Sequence, residues 1–123
     1  MAKTKSDQSG VDRSVLHRLR SLNNREEPDF FQQMIQLLVQ ELEKWQPILS
    51  HAVEHQDWAQ FVKAAHEIGG TGMQCGANKL AGLCRRLQSM DSGDFRAAGA
   101  VISEVLTETE LVRATLASEV AQK

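Results

Sequence analysis

Tyrosine is absent from this 123-residue sequence, proline occurs twice, and aromatic residues make up only 5%. With few breakers and few β-branched clusters, stretches rich in Ala, Leu, Glu, Gln and Arg read as helices. No Asn-Gly or Asp-Gly pair lies between alternating apolar runs, which argues against hairpins. Neither sign of charge dominates: 14 basic residues face 16 acidic ones, for a net charge of −2. A nucleic-acid footprint is therefore not expected. No apolar run approaches the roughly 18–20 residues of a membrane span. The opening MAKTKSDQSG lacks the apolar core of a secretory signal. The two cysteines, Cys75 and Cys84, have no Cys-x-x-Cys spacing and read as reduced thiols of a cytoplasmic protein. What is present suits one soluble domain of about 100–150 residues. Its 41% hydrophobic content is enough for a core that needs neither metal nor disulfide.

The chain divides into a polar tail over 1–10, a helical domain over 11–120 and a short tail over 121–123. Five helical segments are expected. The first spans about Asp12 to Leu22, with Asp12 as N-cap and Val15, Leu19 and Leu22 as its apolar stripe. The second spans about Pro28 to His55. Phe31, Ile35, Leu38, Leu42, Trp45, Leu49 and Ala52 hold the helical period, and Pro47 predicts a kink or break near Trp45. The third spans about Trp58 to Cys75, opened by Asp57-x-x-Gln60 and stopped by Gly76. The fourth spans about Asn78 to Met90. The fifth starts between Ser92 and Asp94 and runs toward Val120. Long amphipathic helices with short connections describe an all-α, antiparallel four-helix bundle with an additional short N-terminal helix.

The third segment breaks helical rules. Gly69, Gly70 and Gly72 lie in its interior, at a cost of about 1 kcal/mol each relative to alanine. That is a large share of a net stability of about 5–15 kcal/mol, and such local failures often mark function. His66 lies about 100° from the centre of the apolar stripe formed by Phe61, Ala65, Ile68 and Gly72, so it should reach solvent. Val62, Lys63, Gly70 and Met73 surround it, and Gly70 offers no side chain. An exposed imidazole is largely neutral at pH 7, since it titrates near about 6.5. A neutral ring nitrogen is a nucleophile able to carry a phosphoryl group and release it again. No carboxylate cluster beside His66 would hold Mg²⁺, so the metal is expected from a partner.

The stretch Ala65-His66-Glu67-Ile68-Gly69-Gly70-Thr71, then Gly76-Ala77, then Leu80 and Leu83-Cys84-Arg85-Arg86-Leu87 resembles the histidine-containing phosphotransfer (HPt) domain family. The resemblance extends over about residues 11–118. It implies a helix bundle whose His66 accepts a phosphoryl group from a receiver-domain aspartyl phosphate and passes it on. Gly70 matches the small residue four positions after the histidine, and Ile68 the apolar residue two positions after it. The family usually carries lysine where this chain has Gly69. Lys63, one turn earlier, is the expected substitute charge. With Gly69, Gly70, Thr71 and Met73 it completes the phosphoryl-neighbour and docking set. Implied partners are a response-regulator receiver domain, a hybrid histidine kinase, or both, with the receiver bringing Mg²⁺ and this chain acting as a cytoplasmic monomer. Such a chain is a phosphohistidine carrier rather than a self-sufficient kinase. The alternative is an adaptor that docks a receiver without being phosphorylated.

Other features have plainer readings. Gly69 and Gly72, near the inward side, also suit close helix packing. GGTG follows no strand and is not part of a GxxxxGK[ST] pattern, so it is no nucleotide loop. His51 and His55 have a metal-compatible i, i+4 spacing, but one helix supplies only two ligands and a solvated face is expected. Cys84 is a small core residue and Cys75 is inert. Arg85 and Arg86 suit the last turn of a helix or a docking face for an acidic partner. Glu104, Glu108 and Glu110 read as a solvated face.

Overall fold

A computed structural model describes residues 10–91 and 93–121 of the chain. These residues form five helices and no strand: α1 (Arg13–Arg20), α2 (Phe30–Glu54), α3 (Trp58–Gln74), α4 (Asn78–Gln88) and α5 (Phe95–Ala121). Helix α3 packs against α2 and α4, and α5 closes the bundle against the same two helices. This is the four-helix bundle with an added N-terminal helix that the periodicity predicts. The expected tail over 1–10 lies outside the described residues except for Gly10, and of 121–123 only Ala121 is described. Among the described residues no helix is long and apolar enough to cross a membrane.

Helix α1 starts where Asp12 Oδ1 accepts from the Ser14 amide at 2.9 Å. Hydrogen bonds from the Ser14 side chain and backbone hold the Asp12 carboxyl below the usual range. The helix ends at Arg20, short of the expected Leu22, and its buried anchor is Leu16. Leu22 is 51% exposed because the chain has already left the helix for the link to α2. Two asparagines shape that link. Asn24 Oδ1 accepts from the amides of Glu26 and Glu27, and Asn23 Oδ1 accepts from the Phe31 amide, an otherwise unpaired donor in the first turn of α2.

Helix α2 buries all seven residues of its predicted stripe. Of the kink or break expected near Trp45, the break does not occur: the helix runs unbroken from Phe30 to Glu54. Pro47 is exposed, so water can serve the carbonyl that loses its partner, while buried Trp45 and Leu49 hold the helix on either side. Helix α3 begins with Asp57 Oδ1 accepting from the Gln60 amide at 3.1 Å. Gly76 ends it at φ +78°, a conformation glycine adopts without strain. Asp94 Oδ1 accepts from the Ala97 amide at the start of α5. Trp58, Phe61 and Phe95 pack at one end of the bundle with ring centroids 4.9–5.2 Å apart.

The opposite end is fastened by α1. The Asp12 amide donates to the Gly76 carbonyl, and a Cβ at Gly76 would come within 2.9 Å of the Val15 side chain. Arg13 and Arg20 both pair with Glu119 of α5, at 2.6 and 2.5 Å. Burial pushes the Glu119 carboxyl up, but the two guanidinium groups outweigh it and hold the carboxyl below its ordinary range. Glu108 departs from the expected solvated face: it is buried, 7% exposed, with Lys79 Nζ 3.8 Å from its Oε1.

Candidate functional site

The antiparallel contact between α3 and α4 explains two of the three interior glycines. A Cβ at Gly72 would lie 3.3 Å from the Ala77 carbonyl oxygen, and one at Gly69 would lie 3.0 Å from Cys84 Cβ. The helices therefore approach along a seam in which Gly72 faces Ala77 and Gly69 faces Cys84. The next step along this seam brings His66 opposite Gln88. His66 Nδ1 and Gln88 Oε1 are 3.3 Å apart.

This contact sets the chemistry of the ring. Gln88 Nε2 donates to the Cys84 carbonyl at 3.2 Å, which turns the carboxamide so that its oxygen faces the imidazole. A carboxamide oxygen accepts, so this contact is made by the ring when Nδ1 carries the proton, a form that leaves Nε2 for another partner. His66 is exposed, so the side chain is open to one.

The predicted neighbours of His66 fall into separate groups. Gly70 has nothing within 4 Å of the position a Cβ would take, so it leaves the surface beside the ring bare. Gly69 does not. It is buried against Cys84, and its expected place on the docking surface is corrected to a packing role. Thr71 is 5% exposed, with its hydroxyl donating to the Glu67 carbonyl. It forms part of the floor of a hollow rather than a projecting contact. That hollow, about 290 Å³, lies between α2 and α3 and is lined by Met34, Leu37 and Glu41 on one side and His66, Gly70 and Thr71 on the other. Leu37 and Met73 are exposed apolar side chains, 60% and 65% accessible. Lys63 is exposed, but its ammonium lies 5.8 Å above the centre of the Trp45 ring, on the side of α2.

Gln88 is the site residue that sequence reading misses. It stands 22 residues from His66, and only the seam spacing 77, 81, 84, 88 points to it. His51 and His55 stack with centroids 4.0 Å apart, and His55 Nδ1 lies 3.0 Å from the His51 carbonyl oxygen. Among the described residues no group of three or more His, Cys, Asp and Glu side chains could hold a metal. Burial pushes the thiols of Cys75 and Cys84 up to about 11 and about 12, so neither is a nucleophile at neutral pH. Arg85 and Arg86 are exposed in the last turn of α4.

Comparison with known proteins agrees with this geometry. A family model described as the Hpt domain matches residues 33–119. The structure is similar to that of histidine-containing phosphotransfer protein B (HptB) from Pseudomonas aeruginosa PAO1. The TM-score is 0.78 at 26% identity, over 93% of this chain and 96% of that one. It is also similar to the HPT domain from the Hpt sensor hybrid histidine kinase from Shewanella, with a TM-score of 0.76 and 16% identity over 95% and 98% of the two chains. The second likeness concerns the fold alone. No curated protein matches the chain.

Proposed function

The chain belongs to the Hpt domain family, and from that premise we propose that His66 is the residue that carries the phosphoryl group. Histidine phosphotransfer within a phosphorelay is the role of the chain, with response regulators or histidine kinases as its class of partner. The observation that carries the assignment to His66 is an exposed ring on α3 that Gln88 Oε1 approaches at Nδ1, 3.3 Å away. With Nδ1 engaged by Gln88, the nitrogen left over on this exposed side chain is Nε2.

Nε2 attacks the phosphorus of an aspartyl phosphate on a receiver domain. The N–P bond forms as the P–O bond to the acyl oxygen breaks, and the aspartate leaves as a carboxylate. The ring keeps its Nδ1 proton and becomes an imidazolium bearing the phosphoryl group, so no general base is required. Gln88 Oε1 accepts from that proton and stabilises the positive charge as it develops. The reverse step returns the phosphoryl group to an aspartate. The receiver brings the aspartate and its Mg²⁺, and positioning against the hollow beside Gly70 supplies most of the rest. The apolar Leu37 and Met73 are contacts for the receiver, and the chain acts as a monomer.

The test is incubation with a phosphorylated receiver. An acid-labile, base-stable label on the wild type and none on a His66→Gln variant is the expected result. Binding without label would instead make the chain a docking adaptor, a reading that the absence of a cation at position 69 favours.

A further inference from the structure

A phosphoryl group brings about two negative charges, and among the described residues the lining of the hollow on the α2 side of His66 includes no lysine or arginine to balance them. Glu67 and Glu41 both line the hollow there, and the ammonium of Lys63 rests over Trp45. Gly69 and Gly70 carry no charge. The side that faces α4 is different.

Helical geometry separates the two arginines of α4. Taking Cys84, which faces Gly69, as the reference, Arg85 is turned by about 100° and Arg86 by about 200°. Gln88 is turned by about 40° in the same sense as Arg85. Arg85 therefore emerges on the flank of the α3–α4 seam where Gln88 meets His66, whereas Arg86 points away from α3. Along the axis Arg85 precedes Gln88 by about 4.5 Å. Because α4 runs antiparallel to α3, that places its root level with Ile68 and Gly69; Ile68 is buried in the core and Gly69 has no side chain, so α3 does not obstruct it there. Arg85 is exposed, and among the described residues its guanidinium has no hydrogen-bond or ion-pair partner.

We infer that Arg85 reaches across this bare stretch and donates hydrogen bonds to the phosphoryl oxygens on His66, a countercharge delivered from the facing helix. A guanidinium suits the task. It stays charged, its planar fork matches two phosphoryl oxygens, and its stem is long enough to cross the seam. No bond forms or breaks in this contact. The inference rests on His66 as the phosphoryl acceptor.

Phosphoramidate, a small donor that needs no receiver, tests the two claims separately. The wild type and the Arg85→Ala, Arg85→Lys, Arg86→Ala and Lys63→Ala variants are phosphorylated with it. Decay of the phosphohistidine resonance missing from His66→Gln is then followed by phosphorus NMR. Arg85→Ala should lose the group about tenfold faster than the wild type. Arg85→Lys should fall between them, and Arg86→Ala and Lys63→Ala should stay within about twofold of the wild type. The Nε–H resonance of Arg85 should also shift on phosphorylation. Equal decay for Arg85→Ala and wild type, or an unmoved Arg85 resonance, would overturn the inference and leave His66 standing as the acceptor. Absence of any resonance dependent on His66 would remove both.

Discussion

The Gln88 carboxamide presents its oxygen to Nδ1 of His66 at 3.3 Å because its nitrogen is tied to the Cys84 carbonyl at 3.2 Å. A neutral side chain on one helix thus chooses which nitrogen of a ring on another helix is free. Second contacts of this kind orient histidines in metal sites by the same logic. Here the object oriented is a lone pair rather than a metal bond.

Removing that contact should affect chemistry before stability. Gln88→Ala is expected to slow label transfer from a phosphorylated receiver by about fivefold to tenfold, the effect of one hydrogen bond to a charged ring. Gln88→Glu keeps an acceptor and should retain more of the rate. Nitrogen chemical shifts of the His66 ring report the tautomer. They should show mostly Nδ1–H in the wild type and a mixture in Gln88→Ala.

The adjacent glycines should respond oppositely to alanine. At Gly70 an added methyl meets open space, so Gly70→Ala should stabilise the fold by about 0.5–1 kcal/mol through helix propensity alone. At Gly69 the same methyl would sit 3.0 Å from Cys84 Cβ, an atom fixed to the α4 backbone. Gly69→Ala should force the seam apart and destabilise by about 1–3 kcal/mol. Urea unfolding of the two variants checks both signs.

The clasp of Arg13 and Arg20 on Glu119 should give acid-sensitive stability. The folded carboxyl sits below its ordinary value, so its contribution is present above the unfolded value of about 4.3 and is lost as pH falls through the lower folded value. Glu119→Gln should therefore cost about 1.5–3 kcal/mol at pH 7. The gap to wild type should narrow as pH falls below the unfolded value of about 4.3, as denaturant unfolding at neutral and acid pH would show.

Both thiols should be silent in the folded protein. Cys75 and Cys84 are buried and pushed up to about 11 and about 12. A thiol-reactive chromophore at pH 8 should react only as fast as the bundle opens, and with both cysteines at once in denaturant.

Much of this molecule is legible in its sequence, because apolar periodicity records burial directly. The stripe from Phe31 to Ala52 lies where its spacing puts it, and His66 reaches solvent as its angle from Ala65 and Ile68 requires. What is not legible is set by partners distant in the chain. Gly69 and Gly70 look alike on one helix, and only the position of Cys84 separates a packing glycine from a bare surface. Glu108 looks like its solvated neighbours until α5 is laid against α4. Gln88 carries no signature of its own because its role exists only across the seam. Pro47 is the reverse case: a strong local signal for a break, overruled by buried neighbours on either side.

The hollow beside Gly70 is lined by a single histidine, His66, and that has a kinetic consequence. If His66 is the acceptor proposed above, donor and acceptor partners must share the surface beside it and visit in turn. Exchange between two receivers through this chain is therefore a double-displacement process, giving parallel lines in reciprocal plots. An excess of the unphosphorylated acceptor should inhibit by occupying the landing place before any cargo arrives. The bundle itself is indifferent to which visitor is the giver, so net flow follows the relative free energies of the two aspartyl phosphates.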